Sequence, residues 1–367
     1  LLKYKFVRGI IRSVARLTYE QFEHALDGKP DHLLGPLMET VVRPLFGAYK
    51  ALAFAKKQRG SLELEVPESI VMLEGSGSIA KIHPAPRYTS HKLIEELMIT
   101  ANIAAAKALE SRGKLCIFRT HDRPEAVKLD QLQKYITNLG LKLKETRQLK
   151  PFDLNQILKS ANGTPNEFIV NTLILRAQAR AEYTTNNYGH FGLGLESYAH
   201  FTSPIRRYAD LIVHRSLIST FKLGEDDISQ SALSDINSTC THISFTERRA
   251  ITAERDANDR YGISYMADMN QEFFSGRISG VARFGLFVQI VEINVTGLIP
   301  ARFLGASRVY HDANHHTLKV GSHLFSMADK LEVKIRELSI LNNSVIFELV
   351  KVNGVNWKKR KSVKKRR

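Results

Sequence analysis

Acidic residues are in short supply: 37 Asp and Glu stand against 53 Lys and Arg, a formal charge of +16 on 367 residues. Eight of the surplus positive charges occupy the last ten residues, Lys358 to Arg367, so the body is basic in its own right. That balance favours a polyanionic partner, nucleic acid first. Cysteine is scarcer still. Cys116 and Cys240 cannot build a disulfide framework, and neither belongs to a CxxC pair that would bind zinc. A reducing, cytoplasmic setting is the expectation. No run of 18 apolar residues exists, and the opening Leu1-Leu2-Lys3-Tyr4-Lys5 lacks the apolar core and small-residue cleavage site of an export signal. No membrane role is expected. Tyr310 to His316 (YHDANHH) has no HExxH pair or cysteine partner, so it reads as a polar loop rather than a metal site.

What is present divides into a mixed body and a small β-rich end. The chain begins with Leu rather than Met, and Tyr4 to Val14 (YKFVRGIIRSV) alternates like a strand that needs sheet partners. It is read as a fragment whose N-terminal part is absent. Thr18 to Leu26 predicts a helix, broken by Gly28, Pro30, Gly35 and Pro36, and Met38 to Gln58 a second one ending at Gly60. Ser61 to Ile70 sets Leu62, Leu64 and Val66 against Glu63 and Glu65, the pattern of a half-buried strand. Gly75-Ser76-Gly77-Ser78 is a hairpin turn rather than a phosphate loop, since the third Gly and the following helix are missing.

Ser90 is placed to cap a helix running to about Leu109, whose Ala101, Ala104, Ala105 and Ala106 allow close packing. A helix at Leu129 to Leu139 and a turn at Asn162 to Pro165 follow. Ser244 to Met269 predicts one long helix, with Ala250, Ala253 and Ala257 on one side and charges on the other. From Glu272 the pattern shifts to five short strands in about 80 residues with glycine punctuation, which suggests an OB-fold barrel. Beyond Trp357 the tail has no acid and no apolar period, and is expected to be disordered until it meets an anion.

The richest segment is Tyr188 to Arg215, YGHFGLGLESYAHFTSPIRRYADLIVHR. Ser203 before Pro204 marks a helix start, because a Ser side chain accepts from free N–H groups and Pro suits the first helical position. Ile205, Tyr208 and Ile212 would then face the core. Arg206 falls in the first turn, where unpaired N–H groups and the positive end of the helix dipole already favour an anion. Helix start and guanidinium together make a phosphate site, with Ser203 and Arg207 beside it. The competing account is structural: Arg206 or Arg207 pairs with Asp210 one turn on.

The run His200-Phe201-Thr202-Ser203-Pro204-Ile205-Arg206-Arg207-Tyr208, with Asp210, His214 and Arg215, resembles the signature of the RNase II and RNase R family of processive 3′-to-5′ exoribonucleases. The likeness continues in Val7-Arg8-Gly9, in Ala15-Arg16-Leu17-Thr18-Tyr19, in Ser90 to Glu96 (SHKLIEE), in Phe118 to Pro124 (FRTHDRP) and in Gly189-His190-Phe191-Gly192-Leu193. Glu272 to about Val350 looks like the S1 motif that follows the catalytic RNB domain in this family. The resemblance implies an α+β fold. Residues 1–270 would be a truncated RNB catalytic domain of mixed sheet and helices, 271–350 a five-stranded OB-fold barrel of the S1 type, and 351–367 a basic disordered tail.

By the same resemblance Arg206 would hold the scissile phosphate, Tyr19 and Glu95 would position the terminal nucleotides, and Glu254 would contact the 3′ end. Each has a plainer account: Tyr19 as a core aromatic, Glu95 as a helix-surface carboxylate, Glu254 as half of an ion pair. Asn102, seven residues after Glu95, continues the same polar stripe. The family holds Mg²⁺ with a tight Asp cluster located before the point where this chain starts. Asp226-Asp227 looks like a solvated loop, so no metal ligand is assigned here. Leu62-Glu63-Leu64-Glu65 offers no aromatic for the family's base-stacking clamp.

In the barrel, Phe284-Gly285-Leu286-Phe287-Val288 has the spacing to put Phe284 and Phe287 on an open face where bases stack, unless both are core. Arg277, Arg283 and Arg302 would supply phosphate contacts, joined by Lys358, Lys359 and Arg360 of the tail. The implied function is hydrolytic, Mg²⁺-dependent degradation of single-stranded RNA to nucleoside monophosphates. The rival is a single-stranded RNA-binding protein without catalysis.

Overall fold

A computed structural model describes residues 3–64, 68–141, 143, 149–225, 234–305, 309–313 and 315–357. Asp226-Asp227 and the tail residues Lys358, Lys359 and Arg360 lie outside them.

Residues 3–18 form no strand. The alternating pattern at the start of the chain is real, but a lone strand has no ladder to satisfy its backbone, and none lies beside it among the described residues. Phe6 is anchored against Phe201 and Phe221 at 5.5 and 6.0 Å, while Val7, Ile10, Ile11 and Val14 stand in solvent. Helix α1 (Tyr19–Leu26) starts where expected, on a reciprocal cap between Thr18 and Gln21. A short π-helical stretch leads into α2 (Arg43–Arg59), which Gly60 ends in the left-handed conformation.

The strand expected at Ser61 to Ile70 begins only at Ser69. The backbone before it is satisfied elsewhere: Leu62 N–H donates to Gly192 O and Glu63 N–H to the Asn155 side chain. Strands β1 (Ser69–Leu73) and β2 (Ile79–Pro84) make the expected hairpin through Gly75 to Ser78. Helix α3 (Thr89–Glu110) is not capped by Ser90. Tyr88 is the cap residue, its N–H donating to His91 Nδ1, and Ser90 instead ties α3 to α1 by donating to Tyr19 O.

Strands β3 (Phe118–His121) and β4 (Ala181–Thr184) pair antiparallel. Between them lie α4 (Ala126–Asn138), α5 (Pro151–Ala161) and α6 (Glu167–Ala177). Helix α7 (Tyr208–Phe221) and the 33-residue α8 (Ile236–Asp268) complete the body. The alanine side expected on α8 is not a packed face. From Arg248 to Asn258 every residue is exposed, including Ala250, Ala253 and Ala257. Only the ends of α8 are buried, so its middle bridges two packed regions through solvent.

The barrel is built from β5 (Phe274–Ala282), β6 (Gly285–Ile290), β7 (Val295–Pro300), and, later in the chain, β11 (Lys330–Ser339) and β12 (Ser344–Val352). These strands close on themselves, β11 pairing with both β5 and β12, and the single parallel contact, β7 with β12, makes the barrel mixed. Three further short strands, β8 (Val309–Asp312), β9 (Thr317–Val320) and β10 (His323–Ser326), form a separate sheet, so part of the polar segment expected at Tyr310 to His316 is strand. One apolar core runs from α4–α6 through Ile263 and Met266 of α8 into the barrel. Gly262 permits that junction: a Cβ there would lie 2.5 Å from Val295 Cγ2.

Candidate functional site

Arg206 is presented differently from the helix-start geometry expected. Helix α7 begins at Tyr208 with Arg207 as its cap, and Ser203 to Arg206 form a turn in which the N–H groups of Arg206 and Arg207 both donate to Ser203 O. Ile205 is fully exposed and Tyr208 half-exposed, while Ile212 is core as expected. The reason is Asp210. Its buried carboxylate reaches back to accept from Ser203 N–H at 2.8 Å and takes both Nε and Nη2 of Arg207, each at 2.8 Å. The ion pair therefore belongs to Arg207. Arg206 is exposed and has no ion pair among the described residues.

The chain leading to this turn is clamped on three sides. Asn102 of α3 is buried: it donates to Tyr198 Oη at 2.9 Å and accepts from Phe201 N–H at 2.8 Å. Its place in the polar stripe of α3 is thus an interior one. His214 of α7 bonds Phe201 O at 2.8 Å and stacks on the Phe201 ring at 4.3 Å. His200 Nδ1 shares a 2.8 Å hydrogen bond with Tyr183 Oη. Burial, with Arg207 and Arg119 nearby, pushes the His200 pKa down to about 2, and burial with His121 and Arg119 lowers that of His190 to about 3. Both rings are neutral. Arg119 itself is neutralised by a bidentate pair with Glu247 of α8 and lies 4.6 Å from the Tyr183 ring. Of the arginines gathered here, Arg206 is the one left facing solvent.

Tyr19 and Glu95 share a second surface. The Tyr19 ring is 43% exposed and stacks on His91 at 4.0 Å, so it is not core. Glu95, one turn after His91 on α3, lies 3.8 Å from both Lys56 and Arg87. Its neighbour Glu96 is buried and holds Lys56 at 2.8 Å and Arg59 at 3.6 Å. Arg59 Nε in turn donates to Leu193 O, which fixes the Gly189 to Leu193 loop. Glu254 sits on the exposed middle of α8, without an ion pair among the described residues.

In the barrel, β6 alternates: Leu286, Val288 and Ile290 point inward, and Phe287 outward. Phe284 and Phe287 are 61% and 36% exposed, with rings edge to face at 5.8 Å, which rejects the core reading for both. Arg283 and Arg302 are exposed, Arg302 over the Phe303 ring at 4.9 Å. Arg277 is half-buried and lies 5.8 Å from the Phe168 ring of α6. Among the described residues no group of three or more His, Cys, Asp or Glu could hold a metal ion. They do not fit Mg²⁺.

Residues 1–222 match the family described as the RNB domain, and residues 268–348 the S1 RNA binding domain. The chain belongs to the RNB family. Ribonuclease R of Aquifex aeolicus is 36% identical over 361 residues, covering 95% of this chain and 50% of that protein. Ribonuclease R of Escherichia coli is 32% identical over 364 residues, covering 95% and 44%. The chain thus spans about half the length of these RNB relatives. Among solved structures, Mycoplasma genitalium RNase R in complex with ribose methylated single-stranded RNA superposes with a TM-score of 0.84 at 26% identity, over 90% of this chain and 53% of that one. The likeness covers body and barrel alike, in agreement with the α+β architecture.

The residues missed from sequence are those that build the frame: Tyr183 and the Arg119–Glu247 pair, while the sequence places Asn102 in a polar stripe and not as a clamp. Asn102 alone carried a signal, a polar residue in an Ala-rich apolar helix.

Proposed function

We propose that this chain is the RNA-holding part of a hydrolytic, processive 3′-to-5′ exoribonuclease that degrades single-stranded RNA to nucleoside monophosphates. The observation that carries the reading is Arg206: an exposed guanidinium, without an ion pair among the described residues, on a turn held by Asp210, Asn102 and His214, beside two arginines already neutralised. A fixed cation in that setting suits the charge that develops on a phosphoryl group under attack. Tyr19 and Glu95 orient the terminal nucleotides, Tyr19 by its exposed ring and Glu95 by accepting from sugar hydroxyls. Glu254 contacts the 3′ end. The barrel face of Phe284 and Phe287, with Arg283 and Arg302, holds the strand by stacking and phosphate contacts.

In this reading 1–270 is the catalytic body, 271–350 the RNA-binding barrel and 351–367 a basic arm, in a cytoplasmic protein. Mg²⁺, expected from the family resemblance, would supply an activated water, and no described residue is assigned to hold it. The test uses the natural polypeptide that contains this sequence. With 5′-labelled single-stranded RNA and Mg²⁺, the expected result is stepwise shortening from the 3′ end with release of 5′-monophosphates. RNA that is retained but never shortened would make the protein a non-catalytic binder and overturn the reading.

A further inference from the structure

Tyr19 is the first residue of α1 and keeps an exposed ring, and an exposed aromatic at a helix start is ordinarily free to change rotamer. Two consecutive residues of α3 remove that freedom. Ser90 fixes the backbone: its Oγ donates to Tyr19 O at 2.9 Å, and its N–H donates to the Glu23 carboxylate of α1, also at 2.9 Å. His91 fixes the ring, stacking on it with centroids 4.0 Å apart and planes 29° from parallel. The imidazole stacks with Tyr88 as well, at 5.4 Å and 6°. It is held there by a hydrogen bond, because its Nδ1 accepts the Tyr88 N–H at 3.1 Å and so closes the start of α3. Tyr88, His91 and Tyr19 therefore form a set of three stacked rings, anchored in the α3 cap and ending at the exposed Tyr19 ring.

A ring that already stands in its stacking orientation loses little freedom when a base settles on it, whereas a mobile one must first be ordered at the expense of affinity. We propose that His91 is the positioning residue for Tyr19, holding the phenol ring in the orientation in which a base near the 3′ end of the RNA stacks upon it. It acts through Tyr19 rather than on the RNA. This inference rests on the RNA-degrading reading above and extends it by naming what makes Tyr19 a fixed platform. The plainer duty of His91 is to cap α3, and the two duties use different parts of one side chain. The cap needs the acceptor at Nδ1; the platform needs the ring face. Asn carries an acceptor and no ring, and Phe a ring and no acceptor, so substitution separates them.

The experiment is fluorescence anisotropy with the natural polypeptide that contains this sequence, EDTA replacing Mg²⁺ so that RNA is bound and not shortened. The probes are two 5′-labelled RNAs of equal length, an oligouridylate and the same RNA with abasic residues at its last two 3′ positions. The parent should prefer the RNA with bases by about tenfold, the worth of a stacked base. His91→Asn should cut that preference to less than about threefold, and His91→Phe should restore most of it, since only the latter keeps a stacking ring. Stability should run the other way: the urea midpoint should fall further for His91→Phe, which leaves the Tyr88 N–H without its acceptor, than for His91→Asn. Adding His91→Asn to Tyr19→Ala should lower the preference no further, because the two residues act as a unit. If His91→Phe prefers the bases no more than His91→Asn does, ring stacking is not what His91 supplies and the proposal is overturned. It is overturned equally if His91→Asn keeps the full preference; should Tyr19→Ala then lose it, the RNA reading stands without His91. If Tyr19→Ala keeps it too, the role given to Tyr19 falls with the proposal.

Discussion

Asp210 is fully buried, and its carboxylate answers one backbone N–H and two guanidinium N–H groups. Removing it leaves Arg207, only 19% exposed, without a counter-charge. Asp210→Ala should therefore cost about 3–5 kcal/mol, read as a lower urea midpoint. Arg206→Ala is expected to do the opposite. The side chain is exposed and outside any ion pair among the described residues, so stability should stay within about 0.5 kcal/mol. In the natural polypeptide kcat should fall about 10²–10³-fold with little change in RNA affinity, and Arg206→Lys should rescue only partly, because a point charge does not reproduce a fork of two hydrogen bonds. A normal kcat for Arg206→Ala would remove Arg206 from the active site. The two buried histidines give a pH signature. His190 and His200 have folded pKa values of about 3 and about 2, below the roughly 6.5 of an unfolded chain. The unfolded state thus binds protons that the fold refuses, and stability falls as pH drops below about 6.5, by about 1.4 kcal/mol per pH unit for each ring. Urea midpoints at pH 7.0 and 5.5 measure this, and His190→Asn should flatten the slope while keeping an acceptor for Leu193 N–H.

At the scale of elements, the barrel shows when sequence period is enough. Strand β6 alternates strictly, so which side Phe287 occupies follows from Leu286, Val288 and Ile290, and Phe284 and Phe287 stand on an open face as their spacing predicts. Phe284→Ala and Phe287→Ala should each weaken RNA binding by about 1–3 kcal/mol; a large fall in melting temperature with unchanged binding would return them to the core. The same period misled at Tyr4 to Val14. Alternation states a need for ladder partners and not their presence. Ser61 to Leu64 failed for a related reason: Gly192 and Asn155, more than 90 residues away, take the hydrogen bonds a neighbouring strand would have taken. On α8 the alanine spacing was legible, but spacing cannot tell a packed face from a solvent bridge. The turn at Ser203 was misread by four residues because local cap chemistry, Ser before Pro, loses to a buried Asp210 seven residues further on. The candidate site residues come from motif resemblance; the frame around them comes from separate elements, and pairings across such distances leave little trace in one sequence.

Across the whole molecule, the work is divided in the proposed reading: the balance of charge draws RNA in, and geometry decides what happens to it. The surplus of +16 is divided between body and tail, since Lys358 to Arg367 carry eight positive charges and no acid. Each phosphate neutralised releases condensed counterions, so single-stranded RNA affinity should fall steeply with salt, at a log–log slope of about −0.7 per contact. The tail and the other cations would enter that slope alike, but residues 358–367 contain no aromatic, so the rings available for bases belong to the body and the barrel. Deleting residues 358–367 should therefore flatten the slope and lower affinity at low salt, while leaving unchanged the ratio of affinities for two homopolymers of equal length. Titrations of both homopolymers at several salt concentrations, with and without the deletion, separate the two effects. An unchanged slope would mean that the tail does not touch RNA and that the basic body alone supplies the attraction; a changed ratio would mean that the tail takes part in selecting the sequence bound.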